Sequence, residues 1–201
     1  MGRTSDTRER LLHAALELVW EQSYHSVGVD AICERAGVKK GSFYHFFSSK
    51  AELTAEAIQT HWEGYKPLLD GIFSPTVPPL ERLATYFGKV YEFQKERREV
   101  NGYVCGCPYF DLGTEVSSLD STIVAKVTGV LDQYFRYIVS AVCEAHTQKL
   151  IAVADPVAAG RWLINYFEGA LMNARIHNDP ELLRDLSAGA MQLLGVGRSE
   201  L

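Results

Sequence analysis

The chain has 201 residues, 47% of them hydrophobic, and it carries 20 lysine and arginine residues against 25 aspartate and glutamate residues, a formal net charge of −5. This length allows one large or two small domains with a substantial core. Because no segment has the roughly 18 consecutive apolar residues of a membrane span, and residues 1–10 are too polar for a signal peptide, we expect a cytoplasmic protein with no membrane partner.

Residues 27–53 are the most informative segment, and they predict two short helices joined by a tight turn, preceded by a longer helix over about Thr7 to Gln22. The first short helix has an apolar stripe at helical spacing, formed by Val29, Ile32, Cys33 and Ala36. Gly37 ends this helix, because glycine readily adopts the left-handed conformation common at helix C-termini. Val38 can then pack back onto the stripe, so the chain is predicted to reverse direction here.

The second short helix, over about Lys39 to Phe47, is too short to be stable alone and needs an anchor in the core. Phe43 and Phe47 lie one turn apart and supply that anchor. The other face offers partners for phosphates and base edges, namely Lys39, Lys40, Gly41, Ser42, Tyr44 and His45. Gly41 lacks a side chain, so the backbone can approach a groove closely. We therefore predict that this helix binds double-stranded DNA.

A third helix is predicted to begin after Ser49. Ser49 and Glu52 have the spacing of a capping box, in which each side chain accepts a hydrogen bond from the main chain of the other residue. Lys50 lies in the first turn, where its ammonium group is placed to grip a DNA phosphate. The segment therefore reads as a helix-turn-helix followed by a further helix.

A resemblance to the TetR family of bacterial repressors is carried by the run Phe43-Tyr44-His45-Phe46-Phe47-Ser48-Ser49-Lys50, which follows Ala36-Gly37-Val38. It covers about residues 7–55. The resemblance implies an all-α protein with a three-helix DNA-binding domain over residues 1–50, followed by a helical effector-binding and dimerisation domain over residues 51–201. It also implies operator contacts by Lys40, Gly41, Tyr44, His45 and Lys50.

Some positions differ from the usual pattern of the family. Threonine, and then serine or threonine, usually stand where Val27 and Gly28 are found; Val27 cannot hydrogen-bond a phosphate, whereas Gly28 is an acceptable helix N-cap. Ser23 replaces the glycine that usually precedes the aromatic residue at Tyr24. Lys39 replaces a frequent serine or threonine, so the DNA-binding helix loses a capping side chain and gains a cation.

The negative net charge is unusual for a DNA-binding protein, but it is unevenly distributed. Residues 1–50 carry seven basic and six acidic residues, a balance of +1, whereas residues 51–201 carry thirteen and nineteen, a balance of −6. This favours salt-sensitive binding through a focused basic patch, formed by Arg3, Arg8, Lys39, Lys40 and Lys50.

Helical periodicity continues beyond Leu53, and no run alternates for long enough to predict a strand. Breaks at proline and glycine divide this part into further helices, predicted over about Lys50–Leu69, Leu80–Glu99, Pro108–Val116, Ser121–His146, Pro156–His177 and Pro180–Leu194. The helix from Pro156 has apolar residues on two faces and so needs two partners. One partner is its own core and the other is a second chain, unless the helix is simply buried. The candidate dimerisation residues are Trp162, Tyr166, Gly169, Ala170, Asn173 and Leu186.

The family resemblance implies that helices between Lys50 and His146 enclose a small-molecule effector that releases the repressor from its operator. This requires only that the effector binds the DNA-incompetent state more tightly. The candidate wall residues are Trp62, Tyr65, Tyr91, Tyr103, Cys107, Tyr109, Phe110, Tyr134 and Tyr166. The alternative is that these aromatic side chains are ordinary core.

Cys105-Gly106-Cys107-Pro108 suggests a second kind of signal. Two thiols one residue apart could bind a soft metal, react with an electrophile or be oxidised, or they could simply pack. Cys33 and Cys143 lie on apolar stripes and are expected to be structural. No cofactor, resident metal site or enzymatic activity is expected, because the six histidines show no catalytic or metal-ligand spacing.

Overall fold

The computed structural model describes residues 2–116 and 120–196, with side chains from residue 6 onward, and all the regular elements in these ranges are helices. The helices are α1 (Gly2–Glu21), α2 (Val29–Ala36), α3 (Lys40–Phe46), α4 (Lys50–Ile72), α5 (Pro79–Asn101), α6 (Pro108–Val116), α7 (Ser121–Thr147), α8 (Pro156–His177) and α9 (Leu186–Leu193), with a 3₁₀ turn at Pro180–Leu183. The all-α prediction is confirmed. None of the described helices is both long and apolar enough to cross a membrane.

The chain divides into two compact units. Unit 1 comprises residues 1–65 and 108–131, and unit 2 comprises residues 66–107 and 132–201. Unit 1 therefore contains α6 and the first part of α7 in addition to α1–α3, and α4 and α7 each have residues in both units. The functional boundary near residue 50 stays a prediction, because a compact unit need not coincide with a DNA-binding domain.

The last predicted helix is the element that differs most. The segment expected to form one helix over Pro180–Leu194 is a 3₁₀ turn followed by α9. Asp179 caps the turn by accepting a hydrogen bond from the main-chain N–H of Glu181 at 3.0 Å. The turn closes with a bond from the Arg184 N–H to the Glu181 carbonyl at 3.1 Å, and α9 then begins at Leu186. Short-range i→i+3 bonding therefore separates the two pieces.

The turn between α2 and α3 has the predicted geometry. Gly37 adopts a left-handed conformation with φ 64° and ψ 39°. The N–H of Val38 donates to the Cys33 carbonyl at 2.9 Å, and a guanidinium nitrogen of Arg10 in α1 donates to the Ala36 carbonyl at 3.0 Å. The last carbonyls of α2 are thus satisfied within unit 1, and the direction in which α3 leaves the turn is set.

The core of unit 2 contains an aromatic cluster centred on Tyr86. Tyr86 is in ring contact with Phe73, Phe87, Tyr134 and Phe167, at centroid separations from 5.4 to 6.1 Å. These edge-on and tilted contacts bury large apolar surfaces and tie α5, α7 and α8 together.

A buried ion pair also links α5 and α7 in unit 2. Arg82 places a guanidinium nitrogen 2.6 Å from Oε2 of Glu144, and its Nε donates to the Val77 carbonyl at 2.6 Å. These partners offset much of the cost of burying the guanidinium group.

We predict that Gly37→Ala destabilises the protein by about 1–2 kcal/mol, because an L side chain is strained in the left-handed conformation. Gly41→Ala is the matched control. Gly41 lies inside α3, and an added β-carbon there would meet no heavy atom within 4 Å. Helix propensity predicts that this variant is unchanged or more stable by up to about 1 kcal/mol. Urea unfolding measures both values, and equal effects of the two substitutions would contradict the prediction.

Candidate nucleic-acid interface

The predicted DNA-binding face of α3 is its solvent-exposed face. Tyr44 is 58% exposed, whereas Phe43 and Phe47 are fully buried beneath it. Ser42 is half-buried, and the other predicted residues on this face, Lys39, Lys40, Gly41 and His45, are exposed. Lys39 occupies the N-cap position, and its side chain makes no capping hydrogen bond. The helix therefore presents cations and hydrogen-bonding groups while two phenylalanines hold it in place.

Lys40 is already paired within the protein. Its Nζ lies 2.7 Å from Oδ1 and 3.0 Å from Oδ2 of Asp30, in the first turn of α2. The hydrogen bond to Asp30 raises the pKa of Lys40. Because both side chains are exposed, the pair is weak and a phosphate can compete for the ammonium group.

Lys50 also makes contacts within the protein, and its position in the sequence does not predict them. Its Nζ donates to the carbonyls of Tyr24 at 2.7 Å and of Val27 at 2.8 Å, and it lies 4.0 Å from the centre of the Tyr24 ring. Burial lowers the pKa of Lys50. Two of the three N–H donors of the ammonium group thus hold the loop between α1 and α2, and the phosphate contact of Lys50 stays a prediction.

The start of α4 only partly matches the predicted capping box. The hydroxyl of Ser49 accepts a hydrogen bond from the Glu52 N–H at 3.1 Å, as expected. The carboxylate of Glu52, however, accepts from the main-chain N–H of Ser48 at 2.7 Å and from the Ser48 hydroxyl at 2.6 Å. These two bonds lower the pKa of Glu52. The carboxylate of Glu52 therefore binds Ser48, whereas the capping box predicted Ser49. The reason is that the chain turns sharply between α3 and α4.

The remaining members of the predicted basic patch differ in their surroundings. Arg8 forms an ion pair with Glu56 and lies 5.5 Å from the centre of the Phe47 ring. The side chain of Arg3 lies outside the described residues. Val27, which cannot bind a phosphate, is a core residue that is 1% exposed. Of the predicted basic patch, Lys39 and Lys40 at the start of α3 are the exposed lysines.

The predicted effector residues are divided between the two units. Trp62, Tyr65, Tyr109 and Phe110 belong to unit 1, whereas Tyr91, Tyr103, Cys107, Tyr134 and Tyr166 belong to unit 2. Trp62 is fully buried and packs edge-on against Tyr109, and Tyr134 is buried against Tyr86. The hydroxyl of Tyr91 donates to Glu181 at 3.0 Å. Four further aromatic residues of unit 2, Phe73, Tyr86, Phe87 and Phe167, were not among the predicted residues.

Unit 1 contains a groove of about 800 Å³ lined by residues of α1, α2 and α4. Of the predicted effector residues, Tyr65 lines it, next to His61. The ring of His61 stacks on Tyr65 at a centroid separation of 6.2 Å, and its Nδ1 lies 2.7 Å from the Tyr109 hydroxyl. Burial lowers the pKa of His61. The imidazole is therefore kept neutral at pH 7, as part of an aromatic wall.

The loop that carries Cys105 and Cys107 is held rigidly in unit 2. Gln94, which is buried, accepts hydrogen bonds from the N–H groups of Cys105 at 3.0 Å and Gly106 at 3.2 Å, and it donates to the Gly106 carbonyl at 3.1 Å. Neither thiol is in a disulfide and both are buried, and Nε of Arg97 donates to Sγ of Cys105 at 3.3 Å. Among the described residues, no group of three histidine, cysteine or acidic side chains is arranged to hold a metal ion.

The second apolar face of α8 is exposed in the single chain. Trp162 is 64% and Ile176 is 73% exposed, and Gly169 and Asn173 lie between them on the same face. Ala170 is half-buried.

Two of the predicted dimerisation residues instead pack within their own chain. Leu186 is 2% exposed, and the exposed apolar residue of α9 is Leu193. Leu186 is therefore a core residue, with almost no surface that a second chain could contact. Tyr166 packs so closely on Gly189 of α9 that no room remains for a β-carbon there, and its hydroxyl faces the Leu186 carbonyl at 3.5 Å.

Comparison with known proteins identifies the family. A model described as bacterial regulatory proteins of the tetR family matches residues 11–57, and a tetracyclin repressor-like C-terminal domain matches residues 79–189. The transcriptional regulator AcuR of Cereibacter sphaeroides is 32% identical over 181 residues, which cover 89% of this chain and 81% of that protein. The repressor NemR of Escherichia coli K12 is 24% identical over 195 residues, which cover 94% of each protein.

Solved structures agree with this assignment. The regulatory protein TetR from Rhodobacter sphaeroides superposes with a TM-score of 0.79 at 30% identity, over 92% of this chain and 97% of that one. The reduced form of E. coli NemR has the same fold, with a TM-score of 0.81 at 22% identity, over 96% and 99% of the two chains. The chain therefore belongs to the tetR family of bacterial regulatory proteins and is a transcriptional regulator.

Proposed function

We propose that this chain is a homodimeric repressor that binds operator DNA through α3 and leaves the operator when a small-molecule effector binds. The observation that carries the proposal is the structure of α3, a short helix whose buried phenylalanines support an exposed face of cations, a tyrosine and a histidine. Related proteins are named as repressors, including NemR and DhaR, although FasR is named as an activator. Repression is therefore the first direction of regulation to test.

The proposed DNA contact uses the first turn and a half of α3. Lys39 and Lys40 bind phosphates at the edge of the major groove, and Tyr44 and His45 face the bases or the adjacent phosphates. Gly41 supports this arrangement, because no heavy atom lies within 4 Å of the place where a β-carbon would be. The DNA backbone can approach the helix there without meeting a side chain.

A dimer follows from the way in which helix-turn-helix proteins bind DNA, with two half-sites about 34 Å apart or a multiple of this. We assign the exposed face of α8, from Trp162 through Gly169 to Ile176, to the dimer interface. Gly169 lets two helices approach closely, and Trp162 supplies a large apolar surface. Leu193 of α9 extends the same assignment in place of Leu186.

The effector is proposed to bind against aromatic side chains of unit 2, among them the predicted Tyr91, Tyr103 and Tyr134. Aromatic side chains such as these favour an apolar or aromatic molecule over a strongly anionic one. Binding need only be tighter in the state that cannot bind DNA.

A second candidate is thiol-based sensing through Cys105 and Cys107. The observation in its favour is the hydrogen bond from Nε of Arg97 to Sγ of Cys105, which places a cation beside one of the two thiols. An electrophile would form an S–C bond at Sγ with loss of the thiol proton. Because both thiols are buried, reaction requires the loop to open.

The proposal is tested by measuring binding of the purified protein to a duplex from its own upstream region over a salt series. Lys40→Ala should weaken binding and reduce the slope of log K against log salt by about 0.9, the value for one lost phosphate contact. Asp30→Asn should strengthen binding by releasing Lys40 and removing a negative charge near the phosphates. Lys66→Ala, an exposed lysine of unit 2, is the control and should change neither value. If neither this duplex nor random DNA is bound at low salt, the repressor proposal is wrong.

We predict that Trp162→Glu converts the dimer into a monomer, because a carboxylate cannot be buried unpaired in an apolar interface. Operator affinity should then fall by about 100-fold or more, as the avidity of two linked half-sites is lost. Val100→Glu is the matched control, since Val100 is an exposed apolar residue of α5. Sedimentation equilibrium gives the molecular mass. If the Trp162→Glu protein stayed dimeric, the assignment of α8 to the dimer interface would be wrong.

Thiol sensing predicts that diamide or an alkylating electrophile releases the wild-type protein from DNA. Cys105→Ser or Cys107→Ser should abolish this response while leaving basal DNA binding within about twofold, since both substitutions are nearly isosteric. Cys143→Ser is the control and should respond like the wild type. Release that persists in both loop variants would exclude this candidate and leave the small-molecule effector.

A further inference from the structure

Glu115, near the end of α6, is hydrogen-bonded to the loop that enters the helix-turn-helix. Its carboxylate accepts the main-chain N–H of Tyr24 and that of His25, each at 2.8 Å. Oε1 also lies 2.7 Å from Nδ1 of the His25 ring. Tyr24 and His25 lie between α1 and α2, so a side chain 90 residues later in the sequence holds the segment from which α2 begins. All these residues belong to unit 1.

Glu115 holds this loop as a charged group. Burial opposes its ionisation, but the main-chain N–H groups of His25 and Tyr24, together with the His25 ring, outweigh burial and lower the pKa of Glu115. The carboxylate is therefore ionised at neutral pH, and both main-chain hydrogen bonds are charge-assisted. Removing the carboxylate would leave two N–H groups without their acceptor.

Lys50 binds the same loop in the opposite sense. Lys50 donates hydrogen bonds to the carbonyls of Tyr24 and Val27, whereas Glu115 accepts hydrogen bonds from the N–H groups of Tyr24 and His25. An anion from α6 and a cation from the start of α4 therefore satisfy complementary main-chain groups of one loop. Val27 is buried and lies two residues before the first residue of α2. Holding its carbonyl in place therefore also sets the position at which α2 begins.

Hydrogen bonds within the loop determine its shape, whereas the contact with Glu115 determines its placement. The hydroxyl of Ser23 accepts a hydrogen bond from the Ser26 N–H at 3.2 Å and lies 3.0 Å from the Ser26 hydroxyl. These hydrogen bonds lie within the turn and involve no atom of α6. What Glu115 adds is the position of the turn relative to α6, and hence the position of α2 and of the α3 surface that follows it.

We propose that Glu115 is a positioning residue for DNA binding, which places the helix-turn-helix by holding the Tyr24–His25 main chain against α6. The inference rests on the proposed function, because it assigns Glu115 to the DNA-binding step. If a ligand displaced α6, the displacement would first change the hydrogen bonds between Glu115 and the N–H groups of Tyr24 and His25. The operator affinity is thereby coupled to α6 through a residue that does not itself touch DNA.

The test uses the full-length protein with Glu115→Gln and two comparison variants. A glutamine keeps the size but replaces one acceptor oxygen with a donor, so at most one main-chain bond survives. Glu63→Gln is the matched control, an exposed carboxylate of α4 that pairs with Gln59 one turn earlier. His25→Gln removes the ring contact but keeps both main-chain bonds.

Glu115→Gln should weaken operator binding by about tenfold, the factor expected for lost charge-assisted hydrogen bonds. Electrostatics alone predicts the opposite sign, because the substitution removes a negative charge from the DNA-binding unit. Hydrogen exchange of the Tyr24 and His25 amides should become faster, while the amides in the middle of α4 and α7 keep their wild-type rates. Glu63→Gln and His25→Gln should bind DNA within about twofold of the wild type.

Wild-type exchange rates at Tyr24 and His25 in the Glu115→Gln protein would overturn the inference, as would operator binding equal to or tighter than that of the wild type. An equal loss in His25→Gln would overturn it too, by assigning the effect to the ring. If the wild type binds no DNA, the repressor proposal fails and the positioning role for DNA fails with it, whereas faster exchange would still establish the Glu115 contact. Failure of Glu115→Gln alone leaves the repressor proposal intact.

Discussion

The structure of the DNA-binding end depends on the burial of Phe43 and Phe47. A helix of seven residues has too few internal hydrogen bonds to persist in water, so α3 exists because these rings are fully enclosed in unit 1. The left-handed turn at Gly37 aims the helix, and the two rings then fix its rotation about its axis. As a result, the residues of α3 that face solvent are the ones predicted to bind DNA.

The charged groups around this helix are already used within the protein. Lys40 pairs with Asp30, Lys50 holds two carbonyls, and Glu115 holds two main-chain N–H groups. The Lys40–Asp30 pair is exposed and therefore weak, so the proposed phosphate contact can replace it. The contacts of Lys50 and Glu115 are different in kind, because they satisfy main-chain groups and so determine the position of the loop that precedes α2.

The predicted effector residues show what helical periodicity in a sequence does not predict. Aromatic spacing identified Tyr134 and Trp62 as inward-facing, and both are buried, but periodicity cannot state which element an inward side chain will meet. The cluster of Phe73, Tyr86, Phe87 and Phe167 combines residues of α5 and α8 with the residue that follows α4, and Tyr166 is in close contact with Gly189. The small size of Gly189 has no local signal, because its role depends on a tyrosine more than 20 residues earlier.

The sequence by itself determined the helical class, the bounds of α2 and α8, the turn at Gly37 and the outward face of α3. Each of these depends on interactions within one or two helical turns, so the local pattern is sufficient. Only the tertiary structure decided that Lys50 turns toward a loop, that Leu186 packs inward and that Glu115 holds Tyr24 and His25. These contacts depend on the three-dimensional path of the chain, and a side chain's partner 20 to 90 residues away leaves no periodic trace in the sequence.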